Sequence, residues 1–144
     1  MKLAEWIKKY EDKTGDRHII PEGYTQYYLP SRGYAQYGMM RDRGCLYIHE
    51  CCGDAKFWFD LGVLLCGQNG LEYITTVCTR DLKAYMRFFG WSAYEQVKEE
   101  NGTPDGAARL NCQDKEGNFI TISPAFKKAD GEVAYFCTRK VGGD

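Results

Sequence analysis

The fold of this chain is decided by the stretch from Leu46 to Trp91, which reads LYIHECCGDAKFWFDLGVLLCGQNGLEYITTVCTRDLKAYMRFFGW. Residues 45–51 are rich in β-branched and aromatic side chains and fit no helical period, so they predict a strand. Beyond the following turn, apolar residues recur at spacings of three and four until Asn69-Gly70, which is the pattern of a helix packed on a sheet. Residues 71–78 then predict a second strand, and residues 81–89 predict a short helix. A strand, a crossover helix and a strand together predict a parallel pair with a right-handed connection.

The rest of the chain is interpreted by the same rules. Apolar residues on one face predict a helix over residues 2–13, which stops at Gly15. Strand-forming runs between turns that contain Gly or Pro predict further strands at 24–29, 34–41, 92–98, 108–113, 118–123 and 132–139. Polar segments predict loops at 99–106 and 125–130. We therefore expect an α+β fold in a single domain over residues 1–144, with a mixed, mostly antiparallel sheet flanked by helices on both faces.

Composition narrows the class of protein. A net charge of −1 gives no basic surface for nucleic acid or for an anionic membrane, and no apolar run is long enough to cross a bilayer. The seven cysteines are scattered and include no Cys-x-x-Cys pair, which favours free thiols in a reducing compartment over disulfides or a metal site. Because the N-terminus is amphipathic rather than signal-like, we expect a cytoplasmic protein without a nucleic-acid, membrane or metal partner.

The turn between the first strand of this stretch and its helix has a spacing that is found in a known family. It reads Glu50-x-x-Gly53-x-Ala55, and the short helix that follows the second strand ends in Gly90-Trp91. This arrangement resembles the GNAT superfamily of N-acetyltransferases, whose phosphate-binding loop, Arg/Gln-x-x-Gly-x-Gly/Ala, lies at the same place. The resemblance extends over residues 24–98 and the final strand, and it implies a GNAT-like fold.

The resemblance implies acetyl-coenzyme A as the co-substrate. Glycine lets the backbone come close to a ligand, and amides at a helix start carry partial positive charge. The pantetheine arm of the coenzyme would run between the strand that ends near Glu50 and the strand that begins at Leu71. Two carboxylates, Glu50 in the Arg/Gln position and Asp54 inside the loop, would repel a phosphate, although Asp54 could equally cap the helix. The residues expected to contact the cofactor are Cys51, Cys52, Gly53, Asp54, Ala55 and Thr79.

Three residues are candidates for acid–base chemistry. His49 and Glu50 stand where the family removes a proton from its amine, so either could be the base; the alternative is that both are structural. The family's proton donor to the leaving thiolate is a Tyr at the position that Met86 occupies here, and a thioether cannot donate. Tyr85 is the neighbouring candidate. Cys51, which alternation places on the same strand face as His49, could be a nucleophile or simply a small buried residue.

These inferences predict an acyl-CoA-dependent N-acetyltransferase-like protein that transfers an acetyl group to an amine of a small molecule or a protein. The alternative is a GNAT-like scaffold without turnover that binds or regulates a partner, as the surplus of tyrosines on the early strands would allow. An exposed edge strand or the tyrosine-rich sheet could also pair two copies into a homodimer.

Overall fold

The computed structural model describes residues 1–98 and 108–141, which form an α+β protein with three α-helices and eight strands. The elements are α1 (Leu3–Thr14), β1 (Tyr24–Leu29), β2 (Gly33–Met40), β3 (Cys45–Gly53), α2 (Ala55–Gln68), β4 (Tyr73–Cys78), α3 (Leu82–Phe89), β5 (Ser92–Lys98), β6 (Ala108–Gln113), β7 (Phe119–Lys127) and β8 (Val133–Lys140). A short 3₁₀ helix, Arg41–Arg43, connects β2 and β3. The loop predicted at 99–106 lies outside the described residues.

The chain divides into two compact units, residues 1–74 and residues 75–144, with the boundary inside β4. The helices and strands predicted from the sequence are confirmed, with ends that differ by one or two residues in most cases. The parallel pairing of β3 with β4 stays a prediction, and so does the single domain over residues 1–144.

In the first unit, β1, β2 and β3 form an antiparallel sheet in that order. The two helices pack on opposite faces of this sheet. On one face, the thiol of Cys52 in β3 donates to the carbonyl of Trp6 in α1. On the other face, the hydroxyl of Tyr37 in β2 donates to the carbonyl of Trp58 in α2. Alternate residues of each strand therefore face α1 or α2.

Close packing of α2 on the sheet depends on a glycine in the middle of the helix. A Cβ at position 62 would lie 2.4 Å from Cδ1 of Ile74 and 3.1 Å from Cε1 of Tyr37. Trp58 and Cys66, one turn before and after Gly62, are both buried, so this face of the helix lies in the core. Glycine lowers helix propensity, but here it allows the backbone to approach the sheet.

The second unit contains the strands β4, β8, β7, β6 and β5 in that spatial order, and the last three pairs are antiparallel. Its core contains Cys112, Ile120, Ile122, Ala134 and Cys137. The loop predicted at 125–130 is wrong at its start, because β7 continues to Lys127. The pairing with β8 shifts between Pro124 and Phe126, and such a bulge accommodates a proline that cannot donate to the ladder.

The contact made by Gly62 is tested by substitution. We expect Gly62→Leu to lower the free energy of unfolding by about 1–3 kcal/mol, because an overpacked core forces side chains and backbone to shift. Gly67→Leu is the matched control in the same helix, since a Cβ at Gly67 meets nothing within 4 Å. The control should keep or slightly raise stability in denaturant titrations, and equal losses in both variants would contradict the packing described here.

Candidate functional site

A β-bulge in β3 places two candidate side chains next to each other. Ala35 of β2 pairs with Cys51 and Tyr37 pairs with Ile48, so Gln36 stands opposite both His49 and Glu50. One residue facing two is the definition of a bulge, which bends the strand and redirects side chains. His49 and Glu50 consequently both point to the α1 face, and Cys51 lies on the α2 face near Tyr37.

Glu50 is buried beneath α1 and the connector that follows it, with only 4% of its surface exposed. Its Oε2 lies 2.7 Å from Nδ1 of His18 and accepts a hydrogen bond of 3.1 Å from the hydroxyl of Tyr34. The imidazole of His18 also stands edge-on to the Tyr34 ring, with the centroids 5.1 Å apart. Three segments, the connector, β2 and β3, therefore meet at one carboxylate.

The phenols around this carboxylate are held in their protonated form. Burial, followed by the charge of Glu50, raises the pKa of Tyr10 to about 12. The same causes in the same order raise the pKa of Tyr34 still further. Both hydroxyl groups are thus available as hydrogen-bond donors to Glu50 rather than as competing anions.

His18 and Glu50 together have the geometry of a proton-accepting pair. The side chain of His18 is 13% exposed and that of Glu50 is 2% exposed, so the imidazole is the accessible member. With the proton on Nδ1 shared with the carboxylate, Nε2 is left with a free lone pair that can accept a proton. A carboxylate in that position fixes the tautomer and stabilises the imidazolium that forms. Sequence reasoning missed His18, whose only signal is that the chain contains two histidines.

His49 belongs to a different network. Its Nδ1 lies 2.9 Å from Oε1 of Gln36, whose Nε2 donates to Oε1 of Gln26 and to the carbonyl of Ile19. Gln36 is fully buried, and the ring of Tyr24 stands edge-on to His49. The chain of amides ties the connector to β1 and β2, which is a structural arrangement. His49 and Cys51 also lie on opposite faces of the sheet. The expectation that they share a face is therefore wrong, and the bulge is the reason.

The predicted phosphate-binding turn is packed against the β1–β2 hairpin. A Cβ at Gly53, whose φ is 106°, would lie 2.3 Å from the carbonyl oxygen of Arg32. The amide of Asp54 donates to that same oxygen at 2.9 Å, as does the indole of Trp58 at 2.8 Å. Gly53 is therefore required by the approach of a neighbouring chain segment, and the amide of Asp54 has an internal acceptor.

Asp54 caps α2 and is neutralised by an arginine. Its Oδ1 accepts from the amide of Phe57 at 3.1 Å, and its Oδ2 forms an ion pair with Arg32. The amide of Phe57 and then the guanidinium of Arg32 lower the pKa of Asp54. Among the described residues, no protein acceptor is recorded for the amides of Ala55 and Lys56, the first two of the helix. The amide of Asp54 is therefore engaged within the chain, whereas that of Ala55 is left for an anion.

Of the two cysteines beside the turn, Cys51 is not an activated thiol. Burial raises the pKa of Cys51 to about 12, and the thiol of Cys52 donates to the carbonyl of Trp6 at 3.5 Å. A nucleophilic cysteine needs a lowered pKa and a base in contact, and Cys51 has neither in this structure. The structure favours the interpretation that Cys51 and Cys52 are small side chains packed under the start of the helix.

Two further candidates lie in the second unit. The Tyr85 ring in α3 packs against the rings of Phe89 and Trp91, with centroids 5.0 Å and 5.7 Å away. The carbonyl of Thr79, just after β4, accepts from the ammonium group of Lys128. The assignment of Tyr85 as a proton donor and that of Thr79 as a cofactor contact stay predictions from the sequence.

Comparison with protein-family models, with curated proteins and with solved structures finds no match to this chain. No helix in the described part of the chain is long and apolar enough to cross a membrane. Within residues 1–98 and 108–141, no group of three His, Cys, Asp or Glu side chains is arranged to hold a metal ion.

The cap at Asp54 gives a stability that depends on pH. Because its folded-state pKa is lowered, its contribution is fully present above the unfolded value of about 3.9 and is lost as pH falls through the folded value. We expect Asp54→Ala to melt below the parent at pH 7 and the gap to close in acid. Asp60→Ala, which removes an exposed carboxylate of the same helix, is the control for charge alone and should show a smaller gap in melting curves. A gap that persists unchanged at pH 2 would contradict this account.

Proposed function

We propose that this chain is an acyl-CoA-dependent N-acyltransferase-like protein that transfers an acetyl group from acetyl-coenzyme A to an amine. The observation that carries the proposal is the contact of 2.7 Å between His18 and the buried carboxylate of Glu50. An amine is protonated at neutral pH and cannot attack a thioester until it loses a proton. A site for this reaction therefore needs an unprotonated base that the amine can reach.

The proton has a defined route in this proposal. The protonated amine first gives one proton to Nε2 of His18, and Glu50 stabilises the resulting imidazolium. The neutral nitrogen then forms a bond to the thioester carbon, the carbon–sulfur bond breaks, and the electron pair leaves with the sulfur, which takes up the second proton that the nitrogen loses. Tyr34 holds the carboxylate in place through its hydrogen bond of 3.1 Å.

Charges at the α2 start support a phosphate-bearing co-substrate. Both carboxylates that would repel a pyrophosphate are neutralised or turned away: Arg32 pairs with Asp54, and Glu50 points to the α1 face. The groups left to bind an anion are the positive end of the helix, the amides of Ala55 and Lys56, and the ammonium group of Lys56. These groups fit a pyrophosphate, although with fewer amides than the sequence pattern implies.

The test compares two histidine variants with the same change. We expect His18→Asn to lower kcat/KM for acetyl transfer by ~10²–10⁴-fold, the usual contribution of a general base, without weakening acetyl-coenzyme A binding. His49→Asn is the matched control and should change kcat/KM little, since His49 belongs to the Gln36 network. Release of free coenzyme A with a panel of primary amines provides the assay, and a larger loss in His49→Asn would contradict the assignment of the base.

A second function is favoured by the packing of the turn. The carbonyl of Arg32 in the hairpin accepts from the amide of Asp54, so this amide is not free to bind a phosphate. A scaffold that no longer binds a cofactor would have a turn closed in this way. In that case the protein would bind a partner without turnover.

A thermal-shift titration separates these functions. Acetyl-coenzyme A at ~100 times its dissociation constant should add about 2.7 kcal/mol to the free energy of unfolding if the turn binds it. Desulfo-coenzyme A, which lacks the thioester, and acetyl-pantetheine, which lacks the pyrophosphate, serve as controls for the two groups. No shift at millimolar acetyl-coenzyme A would favour the scaffold without turnover.

A further inference from the structure

Strand β1 has the features of a sheet edge that pairs with another strand. Within the described part of the chain, it is the outermost strand of the first unit and pairs with β2 alone, from Tyr24 opposite Gly38 to Leu29 opposite Gly33. Its sequence, Tyr-Thr-Gln-Tyr-Tyr-Leu, contains no charge and no proline, and its pairing with β2 shows no bulge. Soluble proteins usually protect an exposed edge with one of these three devices, because unpaired N–H and C=O groups invite another strand.

The outermost strand of the second unit shows the contrast. β5 has a bulge between Ala93 and Glu95 and places a carboxylate at the bulge, where Glu95 accepts from Asn111 at 2.6 Å. These are the devices that prevent edge-to-edge pairing. The chain thus protects one terminal strand and leaves β1 without any of them.

Apolar side chains border β1 on both faces of the sheet. On the α2 face, Tyr27 and Leu29 are 36% and 43% exposed, and the Tyr27 ring packs edge-on to that of Tyr37. On the α1 face, where the Ile19 carbonyl accepts from Gln36, Ile19 and Ile20 are 55% and 50% exposed. An added strand that carries apolar groups on both faces would remove this surface from water.

We propose that two copies of this chain pair through antiparallel contact of β1 with β1 of the second copy, which makes the sheet of the first unit continuous across a two-fold axis. The second copy supplies the same apolar groups on the same faces, because a two-fold axis perpendicular to the sheet keeps each face in common. Residues that face each other across the interface must then both be odd-numbered or both be even-numbered. A shift of the register by one residue would place Tyr27 on the wrong face of the sheet.

The charges that flank β1 fit this arrangement and select a register. Glu22 precedes the strand and Arg32 follows it, and no other charge lies between them. An antiparallel pair centred on Tyr27 places Thr25 opposite Leu29 and brings Glu22 near Arg32 of the second copy, at both ends of the interface, where Arg32 would be shared between Glu22 and its own partner Asp54. Complementary charges at the rim favour this orientation over a parallel one.

The full-length chain is tested by sedimentation velocity over a concentration series, with the fold of each variant checked by circular dichroism. We expect the parent to approach about 33 kDa, twice the chain mass of 16.5 kDa. Thr25→Lys, which places a charge on the exposed side of the edge, should shift the protein to the monomer mass. Leu29→Lys is a second edge variant, in case the first does not fold.

Gln68→Lys is the matched control, because it adds the same charge at an exposed position of α2 away from β1. It should keep the dimer mass. A parent that stays monomeric at all concentrations, a dimer that survives both folded edge variants, or equal dissociation in the control would each overturn the proposal. Acetyl transfer does not enter this readout, so the result is independent of the proposed activity.

Discussion

A buried carboxylate needs hydrogen-bond or ion-pair partners, and several segments of the first unit supply them to Glu50. An ionised group that loses its hydration without compensation costs several kcal/mol, so the surrounding segments are constrained by it. The connector after α1 brings His18 to one oxygen, and β2 brings the Tyr34 hydroxyl to the same atom. This need explains why a polar connector without regular structure follows a fixed path across the sheet.

The bulge in β3 is what makes this arrangement compatible with an apolar core. Regular alternation would place His49 and Glu50 on opposite faces, with one of them among the side chains under α2. The extra residue puts both on the α1 face, so that polar contacts gather on one side of the sheet. The other side keeps Trp58 of α2 against Tyr37 and the Cβ-free surface of Gly62. Bulges are frequent beside functional sites because they redirect side chains in this way.

The sequence predicts the local structure well, because local structure depends on periodicity and on turn residues. The apolar stripe from Phe57 to Leu65 and the stop at Asn69 are enough to place α2. The decisive contacts of the candidate site could not be predicted, because they join residues far apart in the chain. His18 and Glu50 are 32 positions apart, and Arg32 and Asp54 are 22 positions apart. A bulge cannot be recognised from a period-two pattern of residues. For this reason the sequence places His49 on the same face as Cys51.

The meeting of Gly33 and Gly53 has a mechanical consequence. A Cβ at Gly33 would lie 1.9 Å from the carbonyl oxygen of Cys52, and the two glycines pair directly across β2 and β3. Main chain therefore touches main chain, with no side chain between them to bend or rotate. Because no side chain there can rotate out of the way, the hairpin tip and the first turn of α2 have little room to shift independently of each other.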